Sequence, residues 1–567
     1  MATIKGRTLF FITSPRSPFK MITEIELLTK YFSDHKWNSS TQTDFIKLLI
    51  SSDSFQSSVS SKDPALSARD RINRGPKALG FVDLAPVVKL TNAGSDFLDE
   101  RLSSEALLRQ LLKFQLPSPY HKAPKQTDEL QTTSFFIKPF LEILRLISTL
   151  DKLTFDELKI FGLQLTNFND FDLIVNKIKE FRKAKADSQI SYKLFVKQYF
   201  DQELNYIYRS EIQSGQTKTR QSSNTSVEKF LSTKASNMRD YADSCFRYLR
   251  ATGLVDISYR GHSLSIAADK RDEVDFILAN ISREPVFVDD ESSFKLYLFD
   301  NTTPQLLTDD RTVLERKLLE LEDRTSSELN ISKLTTSDIK KALFDSIAKK
   351  QHVLISQQVK SLKDRLNTLE VIGLFEDIKN NALYDTPLML EWNTWRALNI
   401  LNGGSIKANL NFDDNGMPLS TATGNMPDIL CDYDEFFVTV EVTMQSGHKQ
   451  FESEGESVIR HLAKIKGEFN KPAYCLFIAP KINESCVAYF YSLHKTNISY
   501  YHGKSVVIPL ALDIFITMVE SAINYTSVPT PNKVKELCEF SLSYAQIAKD
   551  EVDWHEKVIA KALNWLK

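Results

Sequence analysis

The sequence predicts a mixed α/β, multidomain protein in which largely helical modules precede a C-terminal domain built on a sheet. Its 567 residues, 42% hydrophobic and 25% charged, are sufficient for roughly three or four ordinary domains. Much of the first two thirds has apolar residues at helical spacing. After Leu388, helices alternate with a hairpin and with continuous apolar runs, which is typical of a mixed sheet flanked by helices.

Composition excludes several classes of protein. Only 17 residues are Gly and 19 are Pro, so collagen-like and low-complexity chains are excluded. The longest weakly polar run, Val506 to Val519, is too short to span a bilayer and contains Asp513. We therefore expect a cytoplasmic protein without a membrane partner. The five cysteines are odd in number and form no C-x-x-C pair, which argues against disulfides and structural zinc.

The formal net charge of −2 hides an asymmetry. Residues 1–250 contain 37 Lys and Arg against 28 Asp and Glu, whereas residues 251–567 contain 34 against 45. A balance of +9 followed by one of −11 fits a front half that meets a polyanion and a rear half that holds cations. A chance difference between domains is the alternative.

Two segments of the front half have the element order of a winged helix. Residues 60–100 give a basic helix, a stop marked by Gly, two short alternating runs and a helix start. Residues 239–280 repeat this order, with Gly253 after the helix and a hairpin around Arg260 and Gly261. We therefore expect two modules of one kind.

The chain between these modules predicts a helical segment and a loop. Thr154 and Glu157 form a capping box, and the following pattern predicts a third small helical module. The polar segment Ser191 to Ser236 predicts a mobile loop that could rest on phosphates. From Thr312 to Asn380, apolar residues at i, i+3, i+4 and i+7 predict a helical connector.

The rear half contains a constellation of acidic residues suited to phosphodiester chemistry. Such chemistry uses a hard cation held by carboxylate oxygens beside a water molecule. Asp428, preceded by Pro427, begins the first strand of the predicted hairpin, and Glu441 lies thirteen positions later in the second. Strand alternation places Glu441 and Thr443 on one face, so that two carboxylates converge across one ladder.

This arrangement is the PD-(D/E)xK nuclease pattern, although Thr443 stands where the usual Lys would be. Another residue must then orient or activate the attacking water. In the following helix, Glu454 and His461 lie on one face, with Arg460 and Lys464 nearby. We favour His461, because a neutral imidazole can accept a proton near neutral pH. An isolated helical His is, however, more often a surface or core group.

Several segments, in order, resemble the AlwI family of type IIS restriction and nicking endonucleases. The resemblance extends from Thr13 to about Pro480 and is carried by the segments "FITSPRSPFK", "ARDRINRGPKALGF", "KFQLPSPYHK", "RDYADSCFRYLRATGLV", "EWNTWRALNIL", "GNMPDI", "VEVT", "QFESEGESVIRHL" and "YCLFIAPKIN". It implies a large N-terminal part that reads a short asymmetric DNA site and a C-terminal restriction-endonuclease-like domain that cuts a few base pairs outside it. The "E-V-T" form without Lys is a family trait.

The resemblance also implies the site residues and the cofactor. The family's acidic and His positions carry onto this chain as the catalytic candidates Glu391, Asp428, Glu441, Glu454 and His461. Hydrolysis would depend on Mg²⁺, held by Asp428, Glu441 and Glu454. Without the resemblance, Glu391 beside Trp392 and Trp395 would be interpreted as a helix residue next to a core aromatic pair. No methyltransferase motif is visible, so a protective methyltransferase would be a separate protein.

The residues that contact DNA are harder to predict, because most basic residues touch only phosphate. The candidates in the family-like segments are Arg16, Arg69, Arg71, Arg74, Tyr120, His121, Lys122, Arg239 and Arg247. The alternative for each is a solvated face or a salt bridge to neighbours such as Asp70 and Asp240.

We therefore predict a DNA-recognition region with winged-helix-like modules (1–285), a helical linker (286–380) and a PD-(D/E)xK nuclease domain (381–567). The function is a type IIS double-stranded DNA endonuclease or a strand-specific nickase, the large subunit of a heterodimer. Cutting both strands would need transient homodimerisation or a small nuclease subunit. A non-catalytic winged-helix DNA-binding regulator and a structure-selective repair nuclease are the alternatives.

Overall fold

The computed structural model describes residues 2–4, 6–52, 63–122, 135–219, 222–321, 331–401, 403–422, 424–469, 471–525 and 529–567. These residues divide into two compact units, which we describe separately. Described residues up to Ala348 form unit 1, and those from Lys349 onward form unit 2. The division therefore falls inside the segment 286–380 that the sequence predicts as a linker.

Unit 1 is mainly helical. Its helices are α1 (Lys20–Phe32), α2 (Ser39–Ser51), α3 (Pro64–Ile72), α4 (Asn92–Leu98), α5 (Ser103–Lys113), α6 (Pro139–Leu150), α7 (Phe155–Ile160), α8 (Phe171–Asp187), α9 (Tyr192–Ile207), α10 (Arg209–Ser214), α11 (Val227–Arg250), α12 (Arg271–Asn280), α13 (Glu291–Phe299), α14 (Arg311–Leu321) and the first half of α15 (Thr336–Ser361). Its strands are β1 (Ala2–Thr3), β2 (Val82–Asp83), β3 (Lys89–Leu90), β4 (His121–Lys122), β5 (Lys152–Thr154), β6 (Val255–Ser258) and β7 (Ser263–Ile266).

The first predicted module has the expected order of elements. Helix α3 continues into a π-helical turn (Asn73–Lys77), and the antiparallel pair β2–β3 and helix α4 follow. Asp63 caps α3 by accepting a hydrogen bond from the Leu66 amide, and Thr91 caps α4 in the same way through Gly94.

The second module is larger than predicted. Strands β6 and β7 form the predicted hairpin, but β5 adds a third strand in the order β5–β7–β6. Helix α7, which begins at the capping box of Thr154 and Glu157, packs against α11. The prediction of a separate third module over this segment is therefore wrong, because β5 and α7 complete the sheet and core of the second module.

The prediction of a mobile loop from Ser191 to Ser236 is also wrong for most of this segment, because it contains α9, α10 and the start of α11. Ser191 caps α9 by accepting from the Leu194 amide. One face of α9 buries Phe195, Val196 and Leu204. Their spacing forms a narrow buried stripe, and the exposed surface of the helix mixes polar residues with Leu194 and Tyr206.

Unit 1 ends in the predicted amphipathic helices. Leu314 and Leu318 of α14 form a small core with Ile339 and Leu343 of α15.

No helix in the described ranges is long and apolar enough to cross a membrane.

Unit 2 is a sheet flanked by helices. Its helices after α15 are α16 (Arg365–Lys379), α17 (Thr386–Leu398), α18 (His448–Glu468), α19 (Glu484–Lys495), α20 (Leu512–Ile523), α21 (Asn532–Ala545) and α22 (Glu551–Leu563). Its strands are β8 (Ser405–Ala408), β9 (Leu410–Phe412), β10 (Pro418–Thr421), β11 (Ile429–Asp432), β12 (Phe437–Val442), β13 (Ala473–Ala479) and β14 (Val507–Ala511).

The main sheet has the order β14–β13–β12–β11–β8 and is mixed, as predicted. Strands β8, β11 and β12 are antiparallel, whereas β12, β13 and β14 are parallel. Helix α18 connects β12 to β13, and α19 connects β13 to β14. Every residue of β12 is buried, as expected for a central strand with helices packed on the sheet.

Candidate active site

The ladder between β11 and β12 places two carboxylates opposite each other. Ile429 pairs with Val440, so the next residues outward, Asp428 and Glu441, face each other across the strands. Directly opposed residues have side chains on the same face of a sheet. Asp428 lies one residue before the first strand rather than within it, but the predicted convergence with Glu441 is present.

Each carboxylate accepts a backbone hydrogen bond from the opposite strand. The Val442 amide donates to Asp428 Oδ2 at 2.8 Å, and the Asp428 amide donates to the Glu441 carboxylate. These bonds replace ladder hydrogen bonds where regular pairing ends. Both acidic side chains are therefore held by main chain, which limits their rotamers.

Burial makes this pair electrostatically unusual. It raises the pKa of Asp428 well above its ordinary value, and the neighbouring Glu441 and Glu454 charges raise it further. The pKa of Glu441 is raised for the same reasons, by burial first and then by Glu454 and Glu391. Both carboxyls therefore stay protonated to a higher pH than exposed carboxyls do.

His461 of α18 is hydrogen-bonded to this pair. Its Nδ1 lies 2.7 Å from Glu441 Oε1, and both side chains are almost completely buried. Burial, assisted by Arg460, lowers the pKa of His461 to about 4, so the imidazole is neutral at neutral pH. With Glu441 ionised, Nδ1 is the protonated nitrogen and donates this hydrogen bond.

The remaining two predicted acids lie at the edges of this group. Glu454 accepts a hydrogen bond from Thr443, which lowers its pKa, although burial has the larger, opposite effect. Glu391 of α17 accepts from Thr421 Oγ1, with Oε2 3.1 Å away, and it is near enough to raise the pKa of Glu441. The five predicted catalytic residues therefore share one region of unit 2.

The donor chemistry of this region fits a hard divalent cation. Carboxylates that raise one another's pKa when buried are stabilised by a positive charge between them. Asp428 and Glu441 are the paired donors, with Glu454 adjacent. Within the described residues, no three His, Cys, Asp or Glu side chains are already spaced as a metal-binding group.

Sequence reasoning missed a glutamine that supports the site. Gln450 is fully buried on α18, and its Nε2 donates to the carbonyls of Gln445 and Lys481, each at 2.9 Å. Its Oε1 accepts from the Asn483 amide at 2.7 Å. Gln450 thus ties the turn after β12 to the turn after β13. In the sequence, Gln450 is recognisable only as a Gln within an amphipathic helix, because its burial is visible only in the structure.

Several predicted DNA-contacting arginines of unit 1 form ion pairs. Arg16 pairs with Asp240 at 2.7 Å, and Arg74 pairs with Asp70 at 3.0 Å. These salt bridges are the predicted alternative to contact with DNA. Further pairs join Arg71 to the buried Glu24 and both Arg247 and Arg16 to Asp243.

The other candidates differ in exposure. Arg69, Lys122 and Arg239 are exposed. Lys77 lies over the Tyr120 ring, whose hydroxyl is buried without a partner among the described residues. His121 is partly buried, and burial lowers its pKa to about 4.

Helix α11 brings the N-terminal segment to the second module. The Tyr248 hydroxyl donates to the Pro15 carbonyl at 3.0 Å, and the Ser244 hydroxyl donates to the Ile12 carbonyl. Arg16 is consequently held beside Asp240 on the same helix. The segment "FITSPRSPFK" and the segment around Asp240 are distant in sequence but share one surface.

Comparison with known proteins gives one family and several solved structures. The sequence model of the AlwI restriction endonuclease family matches residues 77–518. No curated protein matches the chain. One similar structure is the small subunit (R.BspD6I2) of the heterodimeric restriction endonuclease R.BspD6I, with 27% identity over 35% of this chain and 95% of that chain and a TM-score of 0.28.

Two further structures are similar to this chain. The BpuJ1 endonuclease binding domain, in complex with pyrene- and phenanthrene-modified DNA, has 12% identity over 50% of this chain and 91% of that chain, with a TM-score of 0.32. Restriction endonuclease FokI has 11% identity over 94% of this chain and 98% of that chain, with a TM-score of 0.25.

Proposed function

Because the chain belongs to the AlwI restriction endonuclease family, we propose that it is a type IIS, Mg²⁺-dependent endonuclease. Unit 1 binds a short asymmetric sequence in double-stranded DNA, and the PD-(D/E)xK site of unit 2 hydrolyses a phosphodiester a few base pairs outside it. The observation that carries the proposal is the directly opposed pair of the half-buried Asp428 and the buried Glu441, with His461 bonded to Glu441 at 2.7 Å.

The residues of unit 2 have distinct roles in this mechanism. Asp428 and Glu441 would hold the metal, and Glu454 and Glu391 would assist a second ion or an ordered water. When bound, Mg²⁺ polarises a phosphoryl oxygen and lowers the pKa of a coordinated water. His461 donates from Nδ1 to Glu441 and is the candidate base that takes up the proton of the attacking water. The water oxygen bonds to phosphorus in line as the opposite P–O ester bond breaks, and the leaving oxygen departs with the bonding electrons and takes a proton from solvent.

Unit 1 supplies DNA binding in this proposal. We assign phosphate or base contacts to Arg16, Arg69, Arg71, Arg74, Tyr120, His121, Lys122, Arg239 and Arg247. The helix, hairpin and helix order of its two modules supports the winged-helix interpretation. Arg69, Lys122 and Arg239 are exposed, as are Arg16 and Arg74, so these five are accessible to a phosphate backbone.

A single phosphodiesterase site hydrolyses one strand at a time. A strand-specific nickase is therefore the second candidate function. Cleavage of both strands would take a second copy of this chain or a small nuclease subunit, and a separate methyltransferase would protect the host DNA.

The test compares Asp428→Asn with the wild type on supercoiled plasmids of many sequences in Mg²⁺. The amide keeps the size of the side chain but removes its charge, so we expect cleavage to fall by roughly 10³-fold or more. DNA binding, measured by mobility shift, should be retained. EDTA should stop wild-type cleavage, and excess Mg²⁺ should restore it.

Asp432→Asn is the matched control, because Asp432 is 40% exposed at the other end of the same strand, and it should cut at the wild-type rate. Run-off sequencing of both strands gives the recognition site, the cut offset and the choice between nick and break. If wild type leaves every plasmid intact with Mg²⁺ or Mn²⁺, or if Asp428→Asn cuts normally, the proposed function is wrong.

A further inference from the structure

Thr443 leaves the site without the positive charge that the usual Lys would supply. Its backbone amide donates to the Ile478 carbonyl at 3.1 Å, and its hydroxyl oxygen accepts from the Gln445 amide at 3.1 Å. The amide and the hydroxyl of Thr443 are thus both engaged in hydrogen bonds within the protein, and the side chain carries no charge.

Helix α18 brings two cations to the site. Arg460 directly precedes His461, and Lys464 lies one turn later. The His461 side chain, next to Arg460 in sequence, is hydrogen-bonded to Glu441 at 2.7 Å. Lys464 Nζ lies 3.3 Å from the carbonyl oxygen of Asn425, three residues before Asp428. Both cations therefore lie along the side of α18 that meets the opposed carboxylates.

These two cations differ in what they already bind. Lys464 donates to a backbone carbonyl and so holds the chain leading into Asp428. Arg460 has one ion pair, to Glu456 at 3.6 Å, and that partner is 57% exposed. Its Nε is buried and has no hydrogen-bond acceptor among the described residues. A buried donor without an acceptor is unfavourable unless a ligand supplies one.

A phosphate oxygen is the acceptor that suits this group. Guanidinium groups bind phosphate through planar, charge-assisted hydrogen bonds, and they keep their protons throughout the working pH range. A donor that is fixed beside the reacting phosphorus gains strength as charge grows on the non-bridging oxygens. Arg460 has the charge, the free donor and the position for this role.

We propose that Arg460 is a catalytic residue whose guanidinium donates hydrogen bonds to a non-bridging oxygen of the scissile phosphate. It supplies the positive charge that Thr443 lacks, while His461 takes the proton of the attacking water. The P–O bond to water forms and the opposite ester bond breaks, and Arg460 neither gains nor loses a proton. This inference rests on the proposed phosphodiester hydrolysis.

The experiment uses the full-length chain and a DNA duplex containing the site that run-off sequencing identifies. Arg460→Ala should lower the single-turnover cleavage rate in Mg²⁺ by about 10²- to 10³-fold. Arg460→Lys should lie between Arg460→Ala and the wild type, because it keeps the charge but loses Nε. The affinity for DNA, measured with Mg²⁺ in the Asp428→Asn background, should change less than about threefold.

Lys466→Ala is the control, because Lys466 lies on the same helix but donates to the carbonyls of Tyr501 and Lys504, at 2.6 and 2.9 Å. It should cut within about threefold of the wild-type rate. Thermal unfolding of each variant establishes that the fold is intact.

A modified substrate separates contact with the phosphate from a structural role. A methylphosphonate at the scissile position removes one charged oxygen. If Arg460 binds that oxygen, the modification should slow the wild type more than it slows Arg460→Ala. Equal slowing of both proteins, or an Arg460→Ala rate within threefold of wild type, would overturn the inference. Failure of the proposed function would be evident separately, because the wild type itself would not cut.

Discussion

Arg69 and Arg71 are two positions apart on one helix, yet their surroundings differ. Arg71 donates to Glu24 at 2.7 Å, and only 5% of the Glu24 side chain is exposed. Burial raises the pKa of Glu24, so its charge depends on the neighbouring guanidinium. Arg69 is exposed to solvent. Of these two residues of one sequence motif, Arg71 therefore also stabilises the fold, whereas Arg69 faces solvent.

Replacing each arginine by Ala should separate stability from DNA binding. Arg71→Ala leaves a buried carboxylate without its partner and should lower the free energy of unfolding by on the order of 3 kcal/mol. Arg69→Ala should change it by less than about 0.5 kcal/mol. Arg69→Ala should instead weaken DNA binding and reduce its log–log salt slope by about 1.

The measurements are urea unfolding and mobility shifts at several salt concentrations. Equal loss of stability in both variants would contradict the structural assignment. An unchanged salt slope for Arg69→Ala would remove Arg69 from the proposed contacts.

Some details of the site could be predicted from the sequence, and others could not. The spacing of Asp428 and Glu441 and the helix with His461 predicted which side chains meet. The sequence could not show that His461 uses Nδ1, because that depends on the distance between two elements. It also gave Arg460 no special role, since a cation on a helix is usually solvated and its buried Nε appears only in three dimensions.

At the scale of elements, the rear half was the more predictable. Strands β13 and β14 lie in continuous apolar runs, and β11 and β12 form the predicted hairpin, so their positions and the intervening helices follow from the sequence. Helix α9 did not, because its buried face is narrow and its exposed face mixes polar residues with Leu194 and Tyr206. Strand β5 has only three residues, and it is recognisable only through its pairing with β7.

Two glycines in helices should respond in opposite ways to Ala. A Cβ on Gly94 of α4 would collide with the Phe81 carbonyl oxygen and lie 2.8 Å from a methyl group of Leu90. A Cβ on Gly373 of α16 would meet no atom within 4 Å. We expect Gly94→Ala to destabilise by at least about 2 kcal/mol. Gly373→Ala should stabilise by about 0.5–1 kcal/mol, as Ala favours helix.

Calorimetry of both variants tests this pair, and each is the control for the other. Stabilisation by Gly94→Ala would show that α4 does not approach Phe81 as closely as described. Destabilisation by Gly373→Ala would show that its helical position is not open.

At the scale of the whole molecule, hydrogen bonds join residues that lie far apart in the sequence of unit 1. Helix α5 carries three buried polar side chains that bind the chain around residues 298–309. Gln110 Nε2 donates to the Leu298 carbonyl at 2.7 Å, and Arg109 Nη1 donates to the Pro304 carbonyl at 2.6 Å. Lys113 Nζ donates to the Asp300 carbonyl. A few polar groups thus attach the last third of unit 1 to its beginning.

Lys113 should make the stability of unit 1 depend on pH. Burial lowers its pKa from 10.5 to about 7. Between these values the unfolded chain binds a proton that the folded chain has released, so stability rises with pH from about 7 to about 10. One proton corresponds to at most about 1.4 kcal/mol per pH unit.

The measurement compares urea unfolding of wild type, Lys113→Met and the exposed control Lys89→Met from pH 7 to 10. Lys113→Met should be less stable overall, because it loses its hydrogen bonds, but its stability should rise less steeply with pH. The slope of Lys89→Met should match that of the wild type. Equal slopes for all three proteins would mean that Lys113 stays charged in the folded state.

The pairing of Ile429 with Val440 has a consequence for finding related enzymes. The opposition of the two acids depends on the ladder and not on the number of residues in the turn that joins the strands. Insertions at Tyr433 to Phe436 would leave the acids facing each other, whereas one residue inserted within either strand would turn an acid towards the opposite face. A search for distant homologues should therefore fix the strand register and let the intervening gap vary.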